Sequence, residues 1–264
     1  MEKTNIKVSY SRVSTYWTCP YKYKLVYIDK LKVKPDDEPT NALYQGSSLH
    51  EAIEKRSIDE GLNLYKKHFN KWTKEHEFEV YKLNLAMTKA LQQIPNCDEY
   101  EHKLLDEDGF IGYIDGLVKV DDGVYDLYDF KYSQNVNNYL ESGQIHIYKY
   151  YYERLTGNKI RDLYYVMIPK CPEKYSEDND IEKLKEKVDK FYKSHDVSFE
   201  KVEFDRKKIN FFFARKALML KEKLFEKRYS FKCSWCEYSK FCSTNGKDRS
   251  ELLDESPKEV SLWE

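Results

Sequence analysis

Apolar residues recur along this chain with two different periods. From Ser47 to Ile94 they come three and four apart, which lines them on one face of a helix: first Leu49, Ala52 and Ile53, then a longer stretch from Leu62 to Ile94. Ser48 followed three residues on by Glu51 has the form of a capping box, so the first helix is predicted to open at Ser47 or Ser48. The longer stretch is expected to break once inside and to end at Pro95-Asn96. From Tyr100 strand signals take over. Tyr100 to Leu105, Phe110 to Val120 and Val124 to Tyr132 are parted by Asp108-Gly109 and Asp122-Gly123, and Asp-Gly between apolar runs marks a hairpin. A helix from Ser142 to Leu155, stopped by Gly157, and a fourth strand from Asp162 to Ile168 follow. Helix, three strands, helix, strand is the order of an α/β fold with a mixed central sheet flanked by helices.

On either side of this core, residues 9–28 read as a short helix with flanking turns, and Val33 to Pro39 as a loop. Asp180 to Ser194 and Asp205 to Tyr229 read as charged amphipathic helices. From Thr244 to residue 264 the chain is polar and is expected to be a flexible tail, apart from Leu252-Leu253 and Trp263.

Composition narrows the function classes. The 264 residues carry 45 Lys and Arg against 46 Asp and Glu, a net charge of −1, so any basic surface must be local rather than global. Six cysteines in a chain this long do not make a disulfide-stapled miniprotein, and a Cys-x2-Cys pair points to metal ligation in a reducing compartment. The polar start Met1-Glu2-Lys3-Thr4-Asn5 leads into no signal-peptide core, and no apolar run reaches the roughly 18 residues that span a bilayer, so a cytoplasmic, membrane-free location is expected. There is no phosphate-binding Gly-x4-Gly-Lys-Ser/Thr loop, so any ATP-driven motor must be on another chain. No helix-turn-helix, zinc-finger or RNA-binding signature is present, which argues against sequence-specific base reading.

Candidate chemistry is concentrated in the strands. Asp129 and Lys131 share one strand face with Tyr125 and Leu127, while Asp126, Tyr128 and Phe130 point the other way. Asp115 lies across the hairpin, where it can come beside Asp129. Two converging carboxylates repel unless a cation sits between them, and hard oxygen ligands suit Mg²⁺ or Mn²⁺. Lys131 can then polarise a water or offset charge on phosphorus. Gln144 and Tyr148, four residues apart, project from one helix face, and His50 lies beside the Leu49–Ala52 stripe. Read singly, each has an ordinary alternative: a solvated hairpin charge, a packed histidine, a core tyrosine.

Taken in order, His50, Gly112-x2-Asp115, Asp129-x-Lys131 and Gln144-x3-Tyr148 resemble the RecB-like branch of the P-D-(D/E)-x-K nucleases, over roughly residues 5 to 243. The resemblance implies a restriction-endonuclease-like core. It implies that His50, Asp115, Asp129 and the carbonyl of Phe130 hold a divalent metal, that Lys131 serves catalysis, and that Gln144 and Tyr148 place the water or the DNA backbone. The second acid here is Asp129 where glutamate is commoner.

Cys233-x2-Cys236 can grip one metal with two thiolates, and Cys242 supplies a third. The fourth ligand must come from Cys19, Cys97, Cys171 or a histidine, and either zinc or an iron–sulfur cluster fits. Cys19-Pro20-Tyr21 followed by the distant trio resembles the iron–sulfur members of the same branch, the AddB-type helicase–nuclease subunits and the CRISPR-adaptation exonucleases. That likeness implies a structural [4Fe–4S] cluster on Cys19, Cys233, Cys236 and Cys242, joining N- and C-terminal helical parts. Residues 1–243 would then form a single nuclease domain, with a core at about 47–170 and cluster-binding ends at about 9–28 and 229–243. Cys97 and Cys171 read as small hydrophobes.

Lys22, Lys24, Lys149 and Arg154 are candidates for phosphate contact, with tyrosines between them to stack unpaired bases. The expected activity is a metal-dependent deoxyribonuclease, acting as an exonuclease on single strands or DNA ends. From the resemblance alone, the setting is recombination, repair or CRISPR adaptation, with a separate helicase or recombination protein as partner. The alternatives are a non-catalytic DNA-end-binding subunit and a structure-specific endonuclease.

Overall fold

The computed structural model describes residues 7–35, 37–178 and 180–253. Positions 254–264, the last part of the expected tail and Trp263 with it, lie outside the described residues. The chain separates into two compact units: residues up to 36, 107–111 and from 206 onward form one, while 37–106 and 112–205 form the other.

The first unit begins with α1 (Tyr10–Thr18) and α2 (Pro20–Tyr23), the latter running on through a π-helical turn at Lys24–Ile28. Cys19 separates α1 from α2, and its sulfur accepts from the Lys22 N–H at the start of α2.

The second unit opens with three helices, α3 (Ala42–Lys55), α4 (Ile58–Lys67) and α5 (Lys74–Gln93). The predicted opening at Ser47 or Ser48 is corrected to Asn41, whose Oδ1 accepts from the Leu43 and Tyr44 N–H groups at 2.9 and 3.3 Å. Ser48 instead sits inside the helix and donates to the Tyr44 carbonyl at 2.7 Å, so its spacing to Glu51 is incidental. The break expected between Leu62 and Ile94 falls between α4 and α5.

Five strands follow in spatial order β1 (Glu99–Leu105), β2 (Ile111–Asp121), β3 (Val124–Tyr132), β4 (Lys159–Ile168) and β5 (Ser198–Val202). β2 and β3 form the predicted antiparallel hairpin around Asp122-Gly123, where Gly123 has φ +66°. β3 and β4 are parallel, which requires a crossover. The turn α6 (Asn137–Leu140) and the helix α7 (Gln144–Thr156) provide it. The sheet is therefore mixed, as expected. Buried Asp126 ties β3 to β4 by accepting from Arg161 Nε at 2.9 Å, in a two-pronged ion pair. Short, half-exposed β5 gives no clear alternation and is absent from the sequence prediction; it pairs antiparallel with β4. α8 (Ile181–Ser194) packs against α5. The core contains Leu49, Ala52, Phe78, Met87, Phe130, Val166 and Val188, so helices α3, α5 and α8 cover the sheet face opposite Asp129.

Back in the first unit, α9 (Arg206–Lys221) packs on α1 and ends eight residues before the predicted Tyr229. Glu222 stops it: its carboxylate turns back to accept from the Lys223 and Leu224 N–H groups, both at 3.0 Å, and from the Tyr16 hydroxyl at 2.8 Å. A 3₁₀ turn at Phe231–Trp235 and α10 (Ser239–Ser243) carry the three downstream cysteines. Leu252 is buried with Leu25, Leu31, Tyr238 and Phe241, and pairs with Val33. Among the described residues no helix is long and apolar enough to cross a membrane.

Candidate active site

The register of the β2–β3 hairpin places Gly116 opposite Tyr128, which brings Asp115 to the position beside Asp129. Asp115 uses its two oxygens differently. Oδ2 accepts from the Phe130 N–H at 2.7 Å, and Oδ1 faces His50 Nδ1 at 3.8 Å. The other nitrogen of His50, Nε2, lies 3.0 Å from the Phe130 carbonyl. One strand residue thus fixes the acid through its backbone N–H and the imidazole through its carbonyl, and its ring packs edge to face on His50 with centroids 5.8 Å apart. Asp129 is 1% exposed, and the Lys131 ammonium forms an ion pair with it. Neither carboxylate oxygen accepts a well-directed hydrogen bond. A buried carboxylate left this short of donors is where a cation fits.

Glu101 joins the site from β1. Its Oε1 is 3.9 Å from His50 Nδ1, and ligand atoms of His50, Glu101 and Asp115 all fall within 4.8 Å of one another. Glu101 was not among the sequence candidates. Its strand was predicted, but its reach depends on a left-handed backbone, φ +48°, that no spacing rule anticipates. Tyr139, also unanticipated, sets its ring 5.6 Å from the Lys131 ammonium.

The charges are strongly coupled. Burial opposes a charge on His50, but Asp115, Glu101 and Asp129 outweigh it and push the imidazole up to about 9. Burial raises Asp115 to about 6, against the pull of His50 and with the push of Asp129. Burial also opposes the Lys131 charge, yet Asp129 and Asp115 hold the ammonium above its ordinary range. Metal binding requires His50 and Asp115 free of their protons, so binding here is coupled to proton release.

α7 places its two candidates as predicted, on one face. Gln144 Nε2 donates to the Tyr148 hydroxyl at 2.9 Å. Burial, with help from Asp129 and Asp115, pushes Tyr148 up to about 12, so it stays a neutral phenol near the carboxylates.

Cys19, Cys233, Cys236 and Cys242 line one cavity of about 580 Å³ in the first unit, together with Lys22, Lys227, Arg228, Lys232 and Lys240. Among the described residues no three of the sulfurs lie within 4.8 Å of one another. Sulfurs around a single tetrahedral zinc, with Zn–S near 2.3 Å, sit about 3.8 Å apart. The set is thus open for one ion. Cys171 is buried, and Cys97 packs against the core below β2.

The four cations proposed for phosphate each have a carboxylate partner within the chain: Lys22 with Glu237, Lys24 with Asp29, Lys149 with Glu153 and Arg154 with Asp106. Tyr23, Tyr151 and Tyr152 are buried, so these rings are core rather than stacking surface.

A mixed sheet with paired acids, a lysine on the next outward position and a histidine beside them is the arrangement of a nuclease that works with a divalent metal. Residues 7–243 match the PD-(D/E)XK nuclease superfamily, and the chain belongs to it. Among solved structures, the fold is similar to a crystal structure titled "Putative exonuclease" from Eubacterium rectale. The TM-score is 0.58 at 10% identity, with 88% of this chain and 93% of that chain covered. No curated protein matches the chain.

Proposed function

We propose that the protein is a Mg²⁺- or Mn²⁺-dependent deoxyribonuclease that acts as an exonuclease on single-stranded DNA or DNA ends. The convergence of His50, Asp115 and Glu101 beside the donor-poor carboxylate of Asp129 carries this reading. In it, these four side chains hold the divalent ion, and the Phe130 carbonyl holds the histidine by accepting from Nε2. Bound there, the ion supplies acidification of water and neutralisation of phosphate charge. Lys131, steered by Asp129 and Tyr139, aims its ammonium where charge accumulates on phosphorus. Gln144 and Tyr148 orient the attacked phosphodiester.

The cysteine cavity supports a second part of the same proposal, a [4Fe–4S] cluster on Cys19, Cys233, Cys236 and Cys242. Sulfurs spaced more widely than one ion needs suit a larger inorganic core, and the four lysines and one arginine of the lining suit its negative charge.

The test is digestion of end-labelled single-stranded, duplex and circular DNA by anaerobically purified protein in Mn²⁺ or EDTA, alongside Lys131→Ala. Metal-dependent loss of linear DNA, at least about 100-fold slower in the variant, is expected. Cleavage of circles would make it an endonuclease, and DNA binding without cleavage an end-binding subunit.

A further inference from the structure

With the anticipated cations and most of their neighbouring tyrosines engaged within the fold, the first unit presents a different surface. The 3₁₀ turn that carries Cys233 exposes Phe231 and Trp235 at 74% and 77%, their ring centroids 6.0 Å apart and edge to face. Tyr229, two residues earlier, is 75% exposed. Rings this large, left in water side by side, are unusual unless something covers them. Lys232 lies between the two rings in sequence and has no ion pair among the described residues. Residues 227–240 carry Lys227, Arg228, Lys232 and Lys240; Lys240 pairs with Glu251 and the one acid of the stretch, Glu237, pairs with Lys22, which leaves Lys227, Arg228 and Lys232 without a carboxylate partner among the described residues. A local excess of positive charge around exposed aromatic rings complements a polyanion with flat, unpaired π-faces. An apolar helix would leave those charges unpaired.

We infer that Phe231 and Trp235, with Lys232 between them, form a base-stacking platform for single-stranded DNA. Stacking reads no sequence, since every base has a π-face, which agrees with the lack of a base-reading motif. Because Cys233 and Cys236 bracket Trp235, whatever holds those two thiols also fixes the platform's shape. The inference rests on the nuclease reading for its choice of polyanion.

The test uses full-length, anaerobically purified protein in EDTA, so that nothing is cut. Anisotropy would compare a fluorescein-labelled oligothymidylate with an abasic strand of equal length. Wild type should bind the base-bearing strand about 10-fold or more tighter than the abasic one. Phe231→Ala/Trp235→Ala should erase that difference, and Trp235→Phe should keep most of it. Hydrolysis of a thymidine p-nitrophenyl phosphate ester in Mn²⁺, too small to span both sites, should be unchanged in the double variant. Equal binding by the double variant and wild type would overturn the inference, as would equal loss on both strands. If wild type neither binds DNA nor hydrolyses the ester, the nuclease reading fails and takes this inference with it. If wild type does both while the double variant matches it, only the platform is wrong.

Discussion

Glu101 occupies a backbone region that costs a non-glycine residue about 1–2 kcal/mol, and it does so within a strand. The strain sets its carboxylate against His50. Glu101→Gly should therefore raise the unfolding free energy by about 1 kcal/mol while weakening Mn²⁺ binding roughly 10-fold; Glu101→Gln should weaken binding without the gain in stability. Calorimetric titration with Mn²⁺ and thermal melts of both variants would check this, and unaltered metal affinity in both would remove Glu101 from the site. The pH dependence follows from the two shifted groups. His50, raised to about 9, contributes stability that is complete below about 6.5 and is lost as pH rises through 9. Asp115, raised to about 6, acts in the same direction, its contribution complete below about 4 and lost as pH rises through 6. The protein in EDTA should thus melt at progressively lower temperature from about pH 6 to pH 9. The rise in melting temperature caused by Mn²⁺ should grow over the same interval, and a constant increment would contradict the coupling. Asp115, Asp129 and Lys131 could be placed side by side from the sequence because strand alternation and hairpin register bring them together; His50, on α3, entered only through the order of the motifs. Glu101 could not be placed, because a single backbone torsion delivers it.

Among the elements, β2 and β3 come close at Gly116. A methyl group there would meet Cys97 Sγ at 2.6 Å and the Phe130 ring at 3.1 Å. Gly116→Ala should cost about 1–3 kcal/mol and disturb Phe130, whose backbone holds both Asp115 and His50. Adding Cys97→Ala removes the nearer clash and should restore part of the stability and Mn²⁺ affinity, as denaturant melts and metal titration would show. No restoration would place the damage elsewhere. Element types were largely readable from the change of apolar period. Their ends were less so, because the stops are made by particular side chains: Asn41 caps α3 ahead of the decoy at Ser48, and Glu222 halts α9 while its apolar residues continue.

For the whole molecule, Cys19 and Cys233 stand more than two hundred residues apart in sequence yet line one cavity. A group bound to both would restrict the unfolded chain as a crosslink of that span does, worth about 5 kcal/mol on the entropic account. Cys19→Ser should abolish iron incorporation and lower the melting temperature by several degrees, measured by iron analysis and calorimetry on anaerobic protein. Iron retained at wild-type stoichiometry would exclude Cys19 as a ligand. The cysteine pattern was visible in the sequence. The pairing of Lys22, Lys24, Lys149 and Arg154 with internal acids was not, since charge on a helix face does not reveal its partner across the fold.

The first unit is assembled from segments at opposite ends of the sequence. The Tyr21 N–H donates to the Glu226 carbonyl, the Lys34 N–H to Glu251, and the Tyr238 hydroxyl to Leu31. A ribosome adding about 5–20 residues per second takes roughly ten to forty seconds to travel from Cys19 to Cys233. For that interval α1 and α2 lack α9 and the other downstream segments that complete them, and Cys19 is a lone thiol. The second unit, continuous but for five residues, can fold first. Folding of this protein would therefore be ordered: the second unit can mature before Cys233 is made, and the cysteine cavity closes only once the segment through Cys242 has followed.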